Sequence, residues 1–187
     1  MSGRSPRLIS VTRSKLPEGY TEIAYIRATG TQYIDTGIVC NKSDDYVCTL
    51  KAQLENNENF AGGNGYLQYQ ASIASGQKAT IEVAYKNNVE TICVDGVLKS
   101  TTDWTSSYSG QNVKIGILRM GDAGNTWHSS SPQSGDIYKA EIRRARTLVR
   151  DFIPCKSPSG VVGMYDAVGG TFYTNDGTGA FIAGPAA

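Results

Sequence analysis

Few of the 187 residues have the types and spacings that carry chemistry. Glycoside hydrolysis needs two carboxylates at a fixed separation, one as acid and one as base or nucleophile. Sheet-based glycosidases often set them on one strand as E-x-D-x-E, and no such run is present. The nearest acidic groups, "SDDY" (Ser43–Tyr46) and "ENNEN" (Glu55–Asn59), lie in loop-like sequence. His128 is the only histidine and has no serine-and-acid pattern around it for nucleophilic catalysis. Cys40, Cys48, Cys93 and Cys155 include no C-x-x-C pair, and one histidine cannot complete a Cys2His2 zinc site. Free, buried thiols in a reducing cytosol are the expectation, with a disulfide as the alternative. There is no P-loop and no G-x-G-x-x-G opening a helix. The sequence therefore predicts no enzyme, no cofactor and no metal centre.

Binding chemistry is better represented. Sugars offer apolar C–H faces and many hydroxyls, so their sites combine an aromatic ring with Asn, Asp and backbone donors. The stretch "GDAGNTWHSSSPQSG" (Gly121–Gly135) supplies Asp122, Asn125, Trp127, His128 and Ser129. The stretch "NNENFAGGNG" (Asn56–Gly65) supplies Asn57, Asn59, Phe60 and Asn64. If both loops lie at one rim, Phe60, Asn64, Asp122, Asn125, Trp127 and His128 form a glycan site. Trp104, in "TTDWTSSYSG", is a second candidate. The plainer reading is that the tryptophans cap the core and the Asn and Gly residues make turns.

The segment before Pro17 differs from the rest. Arg4, Arg7, Arg13 and Lys15 meet no acidic residue before Glu18. "RLISVT" (Arg7–Thr12), with Leu8 and Ile9, fits one short strand but buries no core alone. Residues 1–17 read as a docking arm or a mobile basic tail. An arm of this kind adds a strand to a partner's sheet edge, while Arg4, Arg7 and Arg13 pair with carboxylates. The whole chain has a formal net charge of +1, which gives no field to gather nucleic acid. No apolar run approaches the roughly 20 residues of a membrane span, and the first residues lack a signal-peptide core.

These residues must be positioned by strands. The chain has 21 glycines and 11 tyrosines, with turn signals about every ten residues, as an antiparallel β-sandwich or barrel requires. "YTEIAYIRATGTQYIDTGI" reads as two strands turning at Gly30. "DYVCTLKAQL" and "ATIEVAYK" alternate, as does "YLQYQASIAS". "VETICVDGVLKST" is a hairpin around Asp95-Gly96, and "NVKIGILRMG" a single strand. "GDIYKAEIRRARTLVRDFIPC" holds five Lys/Arg. As a strand, "DIYKAEIRRA" puts Ile137, Lys139, Glu141 and Arg143 on one face; as a helix its apolar stripe is poor. Two strands are expected, the second ending before Pro154, with the basic residues on solvated faces. Residues 156–187 read as a hairpin meander packed on a sandwich of residues 18–155.

"LPEGYTEIAYIRATGTQYIDTGI" (Leu16–Ile38) and "LVRDFIPCKSPSGVVGMYDAVGGTFYTNDGTGAFIAGP" (Leu148–Pro185) resemble the end signatures of structural proteins of phages of gut bacteria. "CVDGVLKS" (Cys93–Ser100) and "GDIYKAEI" (Gly135–Ile142) resemble the concanavalin-A/laminin-G-like jelly roll. The resemblance covers nearly all of the chain after the arm. It implies two antiparallel sheets face to face on a virion surface, made in the bacterial host cytoplasm. It implies a head fibre or decoration protein, or a tail adhesin, with other virion proteins as partners. Homotrimers are common among such fibres. It also implies host-glycan or receptor binding; a stand-alone carbohydrate-binding module is the alternative. Jelly rolls of this type pair their first and last strands, which predicts closure near Ile34 and Ile142. Many hold a calcium ion at the rim, for which Asp35 and Asp122 are candidate ligands. No D-x-D-x-D-G loop accompanies them.

Overall fold

The structure, a computed structural model, describes residues 15–40, 44–55, 75–87, 89–103, 113–118, 120–122 and 134–187. Among the described residues the chain forms strands only, every pairing antiparallel. The central ladder places β4 (Tyr46–Leu54) beside β5 (Lys78–Lys86), then β6 (Val89–Val94) and β7 (Val97–Asp103). On the other side of β4 come β10 (Ser134–Arg144), β11 (Thr147–Lys156), β12 (Val162–Asp166) and β13 (Thr171–Tyr173). Three short strands join this sheet at its branch: β1 (Thr21–Glu22) on β11, β2 (Ile26–Thr29) on β10, and β14 (Ile182–Ala183) on β2. A second sheet orders β3 (Ile34–Cys40), β8 (Val113–Ile117) and β9 (Met120–Asp122).

Register explains the core. Residues directly opposite on neighbouring strands share a face. Phe152, Ala140, Leu50, Ile81 and Val94 form one row across five strands, and all five are buried. Ile142, Cys48, Val83 and Ile92 form the next row; Ile26, Ile137, Ala52 and Ala79 form the row on the other side. Ile34, Ile38, Ile117 and Leu118, from the second sheet and the turn after β8, join the same buried cluster. Burying each such aliphatic side chain contributes roughly 1.5–3 kcal/mol.

Strict alternation fails within β10. The pairing of β10 with β4 shifts between Ile137 and Lys139, a bulge. Ile137 therefore faces the core with Ala140 and Ile142 rather than sharing an outward face with Lys139, Glu141 and Arg143. β11 also runs on through Pro154 to Lys156, so the strand does not stop at the proline. "NVKIGILRMG" divides into β8 and β9, because Leu118 turns the chain at φ +69°. The expected closure near Ile34 and Ile142 is replaced by the pair Ile26 and Ile137. Ile34 pairs with Ile117, and Ile142 lies between Cys48 and Arg150. The hairpin at Asp95-Gly96 forms as expected, with both residues at positive φ.

The stretch "TNDGTG" is pinned to the turn after β2. Asn175 Oδ1 accepts the Tyr33 and Gly177 N–H groups at 3.1 and 2.8 Å. Asp176 N–H donates to Tyr33 O at 2.9 Å, and its Oδ2 accepts Asp35 N–H at 2.7 Å. Gly177 passes so close to the backbone that an added Cβ would sit 2.0 Å from Thr31 O. Gly177→Ala is expected to destabilise the fold by about 1–3 kcal/mol, as overpacking does. Urea unfolding of the two proteins measures this difference.

Candidate functional site

The site arises where β10 and β11 part. They pair from the two-residue turn at Ala145-Arg146 as far as Ala140 and Phe152. Beyond that, β10 leaves to pair with β2 and β11 pairs with β1. Residues 21–29 bridge the gap, crossing from β11 to β10. Ile23 N–H donates to Pro154 O at 3.1 Å, so the proline's missing N–H falls where β11 has already lost β10. The C-terminal residues lie on the same run, with Ala24 N–H bonded to Pro185 O and Gly184 N–H to Tyr25 O. A wedge-shaped cavity of about 530 Å³ remains, lined by Lys15, Glu22, Tyr138, Lys139, Asp151 and Pro154 among others.

One wall is a chain of charges. Asp151 is buried, its side chain 3% exposed. Lys15 Nζ donates to its Oδ2 at 2.7 Å, and Lys139 Nζ stands 3.6 Å from its Oδ1. Lys139 also reaches Glu141, which pairs with Arg143 at 2.5 Å. Bonding to Lys139 holds the Glu141 carboxyl below the usual carboxylate range, and the same bond pushes the Lys139 ammonium up. Behind Asp151, the buried Asp166 accepts the Asp151 and Val168 N–H groups on Oδ1, with Arg150 Nε 3.4 Å from Oδ2.

The adjoining outer face carries aromatic rings. Tyr25 and Tyr138 meet edge to face at 5.3 Å. Lys78 Nζ lies 3.3 Å from the Tyr138 ring centroid, and the Arg27 guanidinium 5.7 Å from that of Tyr25. Arg27 grips the buried Asp136 with both arms, at 2.5 and 2.8 Å, which raises the guanidinium pKa. Burial, then the charge of Asp136, pushes the Tyr138 phenol up. Cys155, on β11 opposite Glu22, is buried, and that burial pushes its thiol up to about 11. Cys48, Cys93 and Cys155 are free thiols. The described residues here present charged groups and aromatic rings to a partner.

Phe60, Asn64, Asn125, Trp127 and His128, with Trp104 and residues 66–74 of the expected strand "YLQYQASIAS", lie outside the described residues, as do Arg4, Arg7, Leu8, Ile9 and Arg13. The backbone of Asp122 lies in β9. Asp35 Oδ1 accepts Gly37 N–H at 2.9 Å, and among the described residues no three His, Cys, Asp or Glu side chains gather to hold a metal. Sequence reasoning passed over Tyr25, Tyr138 and Asp151. The one signal was the density of charge in "YKAEIRRARTLVRD", read there as solvated. Comparison of the chain with family models, with curated proteins and with solved structures finds no match.

The paired shifts fix a pH response. Glu141's lowered pKa gives stability that is present above the ordinary carboxylate value and is lost as pH falls through the lower folded value. Lys139's raised pKa gives stability that is present below the ordinary lysine value and is lost as pH rises through the higher folded value. Glu141→Gln should flatten both limbs, measured as urea midpoints from about pH 6 down to about pH 3 and from about pH 9 up to about pH 11.

Proposed function

We propose that the chain is a structural surface protein of a phage virion, a head fibre or decoration protein or a tail adhesin. It is joined to the particle by its N-terminal arm and displays a two-sheet sandwich of the concanavalin-A/laminin-G jelly-roll type. One observation carries this reading. The two separate stretches that resemble phage structural proteins, residues 16–38 and 148–185, fold against each other as one hydrogen-bonded unit. Glu22 pairs with Cys155, Arg27 with Ile182, and Tyr33 with Asn175 and Asp176. The arm enters this unit at Lys15, which is tied to Asp151. Supporting the sandwich, both sheets feed a single buried cluster.

The bonds named above join residues 22–35 to residues 155–185. Deleting residues 1–14 should leave the melting temperature unchanged. Incorporation into particles should fall at least about ten-fold, the effect of losing only ~1.4 kcal/mol of binding free energy. Quantitative immunoblotting of purified particles measures this, and normal incorporation of the truncated chain would contradict the docking role.

A further inference from the structure

The wedge where β10 and β11 part has in its wall a buried acceptor that the fold leaves without a hydrogen bond. Asp151 lines the wedge, and its side chain is 3% exposed. Its Oδ2 accepts from Lys15 Nζ at 2.7 Å, whereas its buried Oδ1 accepts no hydrogen bond. Lys139 Nζ stands 3.6 Å from that Oδ1, beyond hydrogen-bond range. A buried acceptor left unmade is costly, so a donor brought from outside the chain gains most at this point. Asp151 cannot turn to meet it otherwise, because its backbone is held on both sides. Its N–H donates to Asp166 Oδ1, and Ala167 N–H donates to its carbonyl.

The two groups flanking the gap set the chemistry of what fills it. The Asp151 carboxylate only accepts, and the Lys139 ammonium only donates. Glu141 draws one of the three ammonium N–H groups, which leaves others for the gap. An oxygen about 2.8 Å from each group spans a separation of this size. Lys139 is 45% exposed on a flexible stem, so its ammonium can shift to admit that oxygen. A hydroxyl both donates and accepts at one uncharged atom. The charges agree with a neutral occupant, since Lys15 and Lys139 are balanced in the lining by Glu22 and Asp151. Between them the wall is apolar, with Pro154 and the half-buried Ile153 and Tyr138. At about 530 Å³ the wedge has the size of a small-molecule site.

We propose that the wedge binds a small neutral polyol. One of its hydroxyls bridges Asp151 Oδ1 and Lys139 Nζ, and its C–H groups lie on Tyr138 and Ile153. A water molecule fills the bridge alone and leaves that apolar wall uncovered. None of these residues is among those that the sequence singles out for glycan. The site stands whether or not the chain docks on a particle.

Amide NMR of the full chain, titrated in turn with glycerol, myo-inositol and D-glucose at millimolar concentrations, tests this. At least one should give saturable shifts centred on Ala24, Lys139, Asp151 and Ile153. No shift with any of them, or unsaturable drift spread over the surface, would overturn the site and leave an ordered water only. Acetate and ethylammonium should not produce the same shifts; saturation by either in place of the polyols would overturn the neutral ligand. Two variants check the contacts. Lys139→Met removes the bridging ammonium and should weaken binding roughly five-fold, the effect of one lost hydrogen bond. Ile153→Trp fills the wedge and should abolish binding. Unchanged affinity in either folded variant would overturn the site. Should Ile153→Trp fail to fold, Lys139→Met decides alone, since Lys139 is half-exposed and its loss leaves Lys15 on Asp151.

Discussion

β10 and β11 cannot remain paired along their full length, and the rest of the molecule follows from where they separate. Strands twist relative to their neighbours, and the pairs of a long hairpin diverge unless both are held in one sheet path. Here β10 is drawn along β4 from Gly135 to Arg144, while β11 is drawn along β12 from Phe152 to Lys156. The bulge at Ile137–Lys139 lets β10 change course without losing its buried side chains. Residues 21–29 fill the angle and bury Ile23 and Ile26 beneath it. The C-terminal residues then lock onto that run through Gly184 and Ala24. Both ends of the described chain are thereby tied to one junction.

The same junction accounts for the basic residues of β10 and β11. Asp136, Asp151 and Asp166 are all buried. A buried carboxylate without a partner is strongly destabilising. Arg27 meets Asp136, Lys15 and Lys139 meet Asp151, and Arg150 with two backbone N–H groups meets Asp166. Farther along the hairpin, Arg143 pairs with Glu141 and Arg144 with Asp44. A basic run read in sequence as solvated is thus largely a set of counterions. Gly169 belongs to the same arrangement, because an added Cβ there would lie 2.5 Å from Asp166 Oδ2.

The strand content was legible because alternation is a local signal: β4, β5 and the β6–β7 hairpin follow their apolar spacing. The Asp95-Gly96 turn was legible for the same reason, since its backbone demands those residue types. The bulge in β10 was not, because Ile137, Tyr138 and Lys139 read equally well in unbroken alternation. Nor was the passage of β11 through Pro154, which depends on the neighbour lost at that residue. The wedge was invisible for a deeper reason. Its walls, Lys15, Glu22, Tyr138 and Asp151, come from three distant stretches, and only the separation of β10 and β11 assembles them. That residues 16–38 pair with residues 148–185 is a tertiary fact that neither stretch announces alone.

Native-state hydrogen exchange tests the claim that the junction is integral to the fold rather than an appended clasp. The amides of Ile23, Ala24, Asp176 and Gly184 bond across it, and those of Leu50, Ile81 and Ala140 lie in the central ladder. If the account is right, the two groups exchange with the same free energy and the same denaturant dependence, because the junction opens only when the sheet unfolds. Exchange of the junction amides at much lower free energy, with the ladder still protected, would contradict it.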